Sequence, residues 1–108
     1  MYKIAMLCEN GASTGLCIRK MIEYARKENI ECDIAAYPQA QLVNIVDDKD
    51  CLLLGPQIAF KLDAFKKSFP QHATKFSVVN SMDFGMMNGE KILKSAISLI
   101  ETNKKGKE

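Results

Sequence analysis

Apolar and polar positions alternate along this chain in two rhythms. Tyr2 to Leu7 is an apolar run of strand length. Beyond it Ile18, Met21, Ile22 and Ala25 recur at i, i+3, i+4 and i+7, with Arg19, Lys20, Glu23, Arg26 and Lys27 on the other face, which predicts an amphipathic helix. Glu31 to Ala36 returns to the two-residue rhythm, Cys32 and Ile34 against Glu31 and Asp33, and Pro38 closes this second strand. A short helix over Gln39 to Ile45 follows. After the acidic break Asp47, Asp48, Lys49, Asp50, the run Cys51 to Leu54 is too uniformly apolar for a strand with one wet face, so it predicts burial on both. Gly55 and Pro56 end it. Ile58, Leu62, Phe65 and Phe69 then form one stripe of a helix that Pro70 terminates, and Phe76 to Val79 makes a fourth strand. Ile92, Leu93, Ala96, Ile97 and Ile100 predict a last helix. The Lys-rich end, Lys104 to Glu108, reads as a disordered basic tail, leaving residues 1–103 as the domain.

Strands that alternate with helices predict a single three-layer α/β domain: a four-stranded parallel sheet in the order 2-1-3-4, helices on both faces, right-handed crossovers and a flavodoxin-like topology. Ligands collect at the carboxyl ends of the strands flanking the topological switch point, here strands 1 and 3. Cys8 and the turn Gly55-Pro56-Gln57 occupy those two ends.

Composition narrows the chemistry. A chain of 108 residues fits one core, and 47% hydrophobic with 26% charged residues is ordinary globular usage. The formal charge of +2 comes from 15 basic and 13 acidic residues spread along the chain, which argues against a nucleic-acid partner. No leader pattern opens the sequence and no run approaches the ~18 apolar residues of a spanning helix, so the expectation is a cytoplasmic protein that does not itself span a membrane. The four cysteines lack C-x-x-C spacing and read as reduced thiols, with Cys17, Cys32 and Cys51 as small buried hydrophobes. No residue cluster suggests a metal or other cofactor.

Cys8 stands apart, because a loop of small residues follows it directly. Glu9, Asn10, Gly11, Ala12, Ser13 and Thr14 turn the chain from strand into helix, with backbone N–H groups available to an anion at the positive end of the helix. Such a field favours a thiolate, and the same donors suit phosphoryl oxygens. The plainer reading is that Ser13 or Thr14 caps the helix and Gly11 permits the turn. Neither G-x-x-x-x-G-K-[ST] nor G-x-G-x-x-G is present. A C-x5-R phosphatase requires arginine where this chain has Thr14, so hydrolysis lacks its main electrostatic stabiliser.

The stretches "LCENGASTGL", "LLLGPQIAF" and "VVNSMDFGMMNGEKIL", in this order and spanning essentially the whole chain, resemble the enzyme IIB subunits of the lactose/cellobiose (also diacetylchitobiose) branch of the bacterial sugar phosphotransferase system. The resemblance implies a relay: a phosphohistidine on enzyme IIA donates to Cys8, and the phosphocysteine donates to a disaccharide, of cellobiose type, held by the membrane enzyme IIC. It also implies a phosphate loop like that of the cysteine phosphatases, made here by Glu9 and the residues Asn10 to Thr14. Two positions depart from the family pattern. Glu9 follows the cysteine where a small residue is usual, and Phe84 stands where tyrosine is frequent. A carboxylate ~4 Å from a thiolate repels it by several kcal/mol at an effective dielectric near 20, so Glu9 is expected to face solvent. Two other readings remain: a low-molecular-weight cysteine phosphatase-like hydrolase, and a regulatory module whose Cys8 accepts phosphate as a signal. Among other candidates, His72 reads as an exposed loop histidine at the opposite end of the sheet from Cys8. Asp83 resembles a general acid in position but reads first as a solvated loop aspartate, and Met86 and Met87 read as core or partner-facing surface.

Overall fold

Apolar strands with side chains to cover on both faces need a helix layer on each side, and that requirement shapes the computed structural model. It describes residues 1–8 and 11–106, with residues 11–13 as backbone only. Strands β1 (Tyr2–Cys8), β2 (Cys32–Pro38), β3 (Cys51–Leu54) and β4 (Phe76–Val78) form one parallel sheet in the order β2-β1-β3-β4. Ile4 pairs with Ile34 on one side and Cys51 on the other, and Leu7 faces Leu54, which in turn faces Val78.

Period two sends alternate residues to opposite layers. Ile4, Met6, Cys51 and Leu53 pack against α1 (Gly11–Lys27) and the final helix α5 (Gly89–Gly106), through Met21, Ala25, Leu93 and Ala96. Ala5, Leu7, Leu52 and Leu54 pack on the other side against Leu42 of α2 (Leu42–Ile45), Ile58, and Leu62 and Phe65 of α3 (Leu62–Ser68). The fully buried Cys51–Leu54 run is as the sequence predicts.

Several boundaries differ for physical reasons. β2 runs on to Pro38, which an edge strand tolerates because its proline nitrogen faces no partner that needs a donor. The Ile58 to Phe69 stripe is not one helix. Pro56–Lys61 is a 3-10 segment kinked at Ile58 (φ −116°, ψ 19°), α3 follows, and Pro70 opens a second 3-10 segment to Lys75. The stripe survives because apolar spacing of three and four residues serves either helix type, and Phe65 and Phe69 stack toward Phe76 at 5.9 and 6.4 Å. Residues after β4 form a further short helix, α4 (Ser81–Gly85), capped by Asn80 Oδ1, which accepts from the N–H groups of Met82 and Asp83 at 2.9 and 3.1 Å. Asp83 is thus helical rather than in a loop. α5 continues to Gly106, so a boundary at residue 103 falls inside it. Its end is tied down by Tyr2, whose hydroxyl donates to Glu101 at 2.8 Å, and by Lys104, 5.4 Å above the Tyr2 ring. Lys107 and Glu108 lie outside the described residues.

The turn from α4 into α5 passes through Met87 at φ 52°, and Asn88 caps α5 by accepting from the N–H of Lys91 at 3.1 Å. At Gly89 the chain meets α1: a Cβ there would lie 2.4 to 2.6 Å from backbone atoms of Lys20 and Met21. Only glycine permits that approach. Gly89→Ala is expected to lower unfolding free energy by about 1–3 kcal/mol in a urea titration. Gly85→Ala, with open space around its Cβ, should change it by less than about 0.5 kcal/mol.

Candidate functional site

β1 lies in the interior of the sheet, and residues Ile4 to Leu7 are completely buried. Burial ends at Cys8, which is half-exposed at the carboxyl end of the strand. Its Sγ is 3.9 Å from the main-chain oxygen of Tyr37, a long thiol-to-carbonyl contact with the neighbouring strand. α1 begins at Gly11, so residues 11–13 belong to the helix's first turn rather than to a longer loop. In any helix the N–H groups of that turn have no intrahelical acceptor and carry its positive end. No acidic residue stands in the first turn of α1 to cancel that charge. Glu9 and Asn10, and with them the expectation about the Glu9 carboxylate, lie outside the described residues, as do the side chains of Ala12 and Ser13. Thr14, the fourth residue of α1, is buried.

The end of β3 closes on the end of β1. The Gly55 N–H approaches the Leu7 carbonyl at 3.5 Å, and Ile58 N–H donates to the Gly55 carbonyl at 3.1 Å. A Cβ at Gly55 would sit 2.9 Å from Gln57 Oε1 and 3.9 Å from the Leu7 oxygen, so the glycine lets the Gln57 amide fold over the strand ends. The sequence-predicted neighbours, Cys8 and Gly55-Pro56-Gln57, are therefore brought to one edge. β4 continues that edge through Val79 N–H, which donates to the Leu54 carbonyl at 2.9 Å.

Other candidates go elsewhere. Asp83 lines a cavity of about 150 Å³ with Leu53, Ser77, Asn80, Ile92 and Ser95, between β4 and α5, with β3 intervening between β4 and Cys8. His72 lies beyond the amino end of β4, opposite Cys8, but it is no free loop histidine: it is largely covered, and Nε2 is 2.6 Å from Asp47 Oδ1. Of the methionine pair, Met87 packs on the core and Met86 is exposed. Among the described residues no three His, Cys, Asp or Glu side chains gather as a metal site requires, and no described helix is long and apolar enough to cross a membrane.

Two residues escape sequence reasoning, Tyr37 beside Cys8 and Lys49 behind Tyr37. Tyr37 supplies the carbonyl beside Cys8, a consequence of register alone. Lys49 is buried, with its ammonium 5.1 Å over the Tyr37 ring, 3.7 Å from Asp33 and 3.6 Å from Asp48. Burial pulls its pKa down, but contact with Tyr37 and the two carboxylates outweighs that and leaves it raised. Lys49 so fastens the β2 edge that carries Tyr37.

A family model for the lactose/cellobiose-specific IIB subunit of the phosphotransferase system matches residues 3–95. The chain belongs to this family. It is 34% identical over 100 residues to the oligo-beta-mannoside-specific EIIB component of Bacillus subtilis (strain 168), covering 93% of this chain and 97% of that one. It is 33% identical over 102 residues to the cellobiose-specific EIIB component of Lactococcus lactis subsp. lactis (strain IL1403), covering 90% and 94%. The solution structure of a cellobiose-specific IIB component from Borrelia burgdorferi superposes with a TM-score of 0.80 at 31% identity, over 94% of this chain and 93% of that one. The lactose-specific IIB domain from Streptococcus pneumoniae shares the fold at a TM-score of 0.78 and 14% identity, over 90% and 95%.

This IIB chain holds its thiols in unequal settings. Cys17 and Cys51 are fully buried; burial pushes the Cys17 thiol up, and burial with nearby Asp50 pushes Cys51 from 9.0 to about 12. Burial, then Asp33, raises Cys32. Iodoacetamide at neutral pH should therefore label Cys8 first, and Cys17 and Cys51 only on unfolding, as read by peptide mapping. A thiol whose folded pKa is raised contributes its stability below the unfolded value and loses it as pH climbs toward the folded one. The unfolding free energy read from urea titrations should accordingly fall between pH 9.0 and about 12, by up to ~1.4 kcal/mol per pH unit from Cys51. Cys51→Ala should flatten that slope.

Proposed function

We propose that this IIB chain carries phosphoryl groups in sugar uptake, on Cys8. The observation that carries the reading is the half-exposed thiol at the end of the buried central strand, directly ahead of a helix start that has no acidic residue in its first turn. The phosphohistidine of enzyme IIA is the donor. Sγ attacks phosphorus, the P–N bond breaks as the P–S bond forms, and the thiol proton ends on the imidazole nitrogen. A sugar hydroxyl held by the membrane enzyme IIC then attacks the same phosphorus, the P–S bond breaks, and the hydroxyl proton returns to the thiol. Backbone N–H groups of Glu9, Asn10, Gly11, Ala12, Ser13 and Thr14 would hold the phosphoryl oxygens, with the Glu9 carboxylate turned away from them.

Transfer is favoured over hydrolysis because buried Thr14 occupies the place of a phosphatase arginine. Nothing in this arrangement supplies a guanidinium from that position to a phosphoryl group losing its thiol to water. The sugar is a disaccharide of cellobiose type, a reading supported by the cellobiose-specific structural relative. Sequence identity alone does not separate it from other sugars, since relatives named for oligo-beta-mannoside, galactose and cellobiose stand at 34, 33 and 33%. The working compartment of such a relay is the cytoplasm, where IIA and the inner face of IIC meet.

Labelled phosphate from phosphorylated IIA should appear on wild-type protein in a one-to-one ratio and be absent from Cys8→Ser. Turnover of p-nitrophenyl phosphate should be negligible. Equal thiol-linked uptake by Cys8→Ser would sink the assignment, and robust p-nitrophenyl phosphate turnover lost in Cys8→Ala would replace the carrier with a hydrolase.

A further inference from the structure

The backbone at Gly55 does not call for glycine, since φ −61° and ψ 154° suit any residue. Its surroundings do. Among the described atoms, the Leu7 oxygen at 3.9 Å would be in ordinary contact with a Cβ there, and Gln57 Oε1, at 2.9 Å, would be too close. The glycine therefore makes room for the Gln57 carboxamide, which folds back onto a buried position although Gln57 itself is exposed. A stiff turn holds it there: Pro56 restricts the backbone, and buried Ile58 donates its N–H to the Gly55 carbonyl at 3.1 Å.

Strand alternation says where that carboxamide lies. Ile4 and Met6 of β1, Cys51 and Leu53 of β3, and Val79 after β4 belong to the layer covered by α1 and α5, whereas Leu7, Leu54 and Val78 face the other layer. Leu7 pairs with Leu54, and Leu54 with Val78. One residue further on, Cys8, Gly55 and Val79 form the next row, on the α1 face, with strands about 4.8 Å apart. The Gln57 carboxamide fills the side-chain place in that row next to the thiol.

We infer that Gln57 is a catalytic residue of the relay, its Nε2–H donating to an oxygen of the phosphoryl group while that group sits on Cys8. The inference rests on the phosphocysteine reading above. The free thiol does not engage the carboxamide: its described polar contact is the Tyr37 carbonyl, on the β2 side. Gln57 has no side-chain hydrogen-bond partner among the described residues, so turning its donors to an anion breaks no bond to them. Rotation about its last torsion exchanges Oε1 and Nε2 and presents the donor. A neutral donor steadies the S-phosphate without the positive charge of an arginine, and leaves the group free to pass to the next acceptor.

The test is the equilibrium partition of labelled phosphate between lactose/cellobiose-type IIA and the full chain, read after the two proteins are separated. Contacts made only in the docked complex cancel from that partition. Gln57→Ala should hold about tenfold less phosphate relative to IIA than wild type, with thermal unfolding and the rate of Cys8 alkylation by iodoacetamide unchanged. Gly55→Ala, whose methyl displaces the flexible carboxamide, should lower the partition in the same direction. In the double variant the methyl has no carboxamide left to displace, so its loss should match that of Gln57→Ala alone. Gln57→Glu keeps the shape but sets a carboxylate against the phosphoryl group, and should lose more than Gln57→Ala. A Gln57→Ala partition within about twofold of wild type, single-variant losses that multiply in the double, or a Gln57→Glu loss no larger than that of Gln57→Ala would overturn the inference. Absence of phosphate on Cys8 of the wild type at saturating donor would instead overturn the carrier reading beneath it.

Discussion

The structure depends on β1 being buried on both faces. Ile4, Ala5, Met6 and Leu7 are wholly removed from water, and at about 1.5–3 kcal/mol for each large side chain this strand is among the most strongly held parts of the chain. Both of its edges are also occupied, by β2 and β3. A strand so enclosed can present reactive chemistry only where it emerges, and Cys8 is the residue at which it does. Rigid placement of the sulfur follows from the packing of the residues that precede it, Ile4 to Leu7, not from contacts of the thiol itself, whose described polar neighbour is a long contact to Tyr37.

Helix packing then sets what the thiol faces. α1 must lie over β1 to cover Ile4 and Met6, and its first turn therefore starts close to the strand's end. α5 locks α1 in that position through the backbone contact at Gly89, and its far end is held by Tyr2 and Glu101. On the neighbouring strand Gly55 brings the β3 exit and the Gln57 amide to the same edge. The electrostatic character of the site comes as much from what is missing as from what is present: no acid in the first turn of α1, and a buried threonine in place of an arginine. On the carrier reading proposed above, such a site would favour an anion without supplying the strong neutralisation that water attack on phosphorus requires.

The layer order and the thiol's position were legible in the sequence because both follow from burial patterns: Cys51 to Leu54 is apolar at every position, and Cys8 directly follows a strand. The interrupted helix from Pro56 to Ser68 was not, because Ile58, Leu62 and Phe65 keep the same spacing in a kinked 3-10 segment as in an α-helix. α4 was missed although Asn80 is a strong capping residue, since five residues give no periodic signal. Contacts made by register or by long side chains across the sheet left no trace in the letters. Tyr37 meets Cys8 only because β2 pairs as it does, and Lys49 reads as part of an acidic, solvated break until its ammonium is seen buried over the Tyr37 ring.

The claim on which all of this converges is that the phosphoryl group rides on sulfur at the end of β1. The phosphorus NMR spectrum of the full chain after incubation with phosphorylated IIA tests it directly. The account predicts one protein resonance at the position of an S-phosphate, lost on addition of IIC membranes and disaccharide as a sugar phosphate appears. An N-phosphate resonance from His72, an O-phosphate, or an S-phosphate that decays only to inorganic phosphate would contradict it.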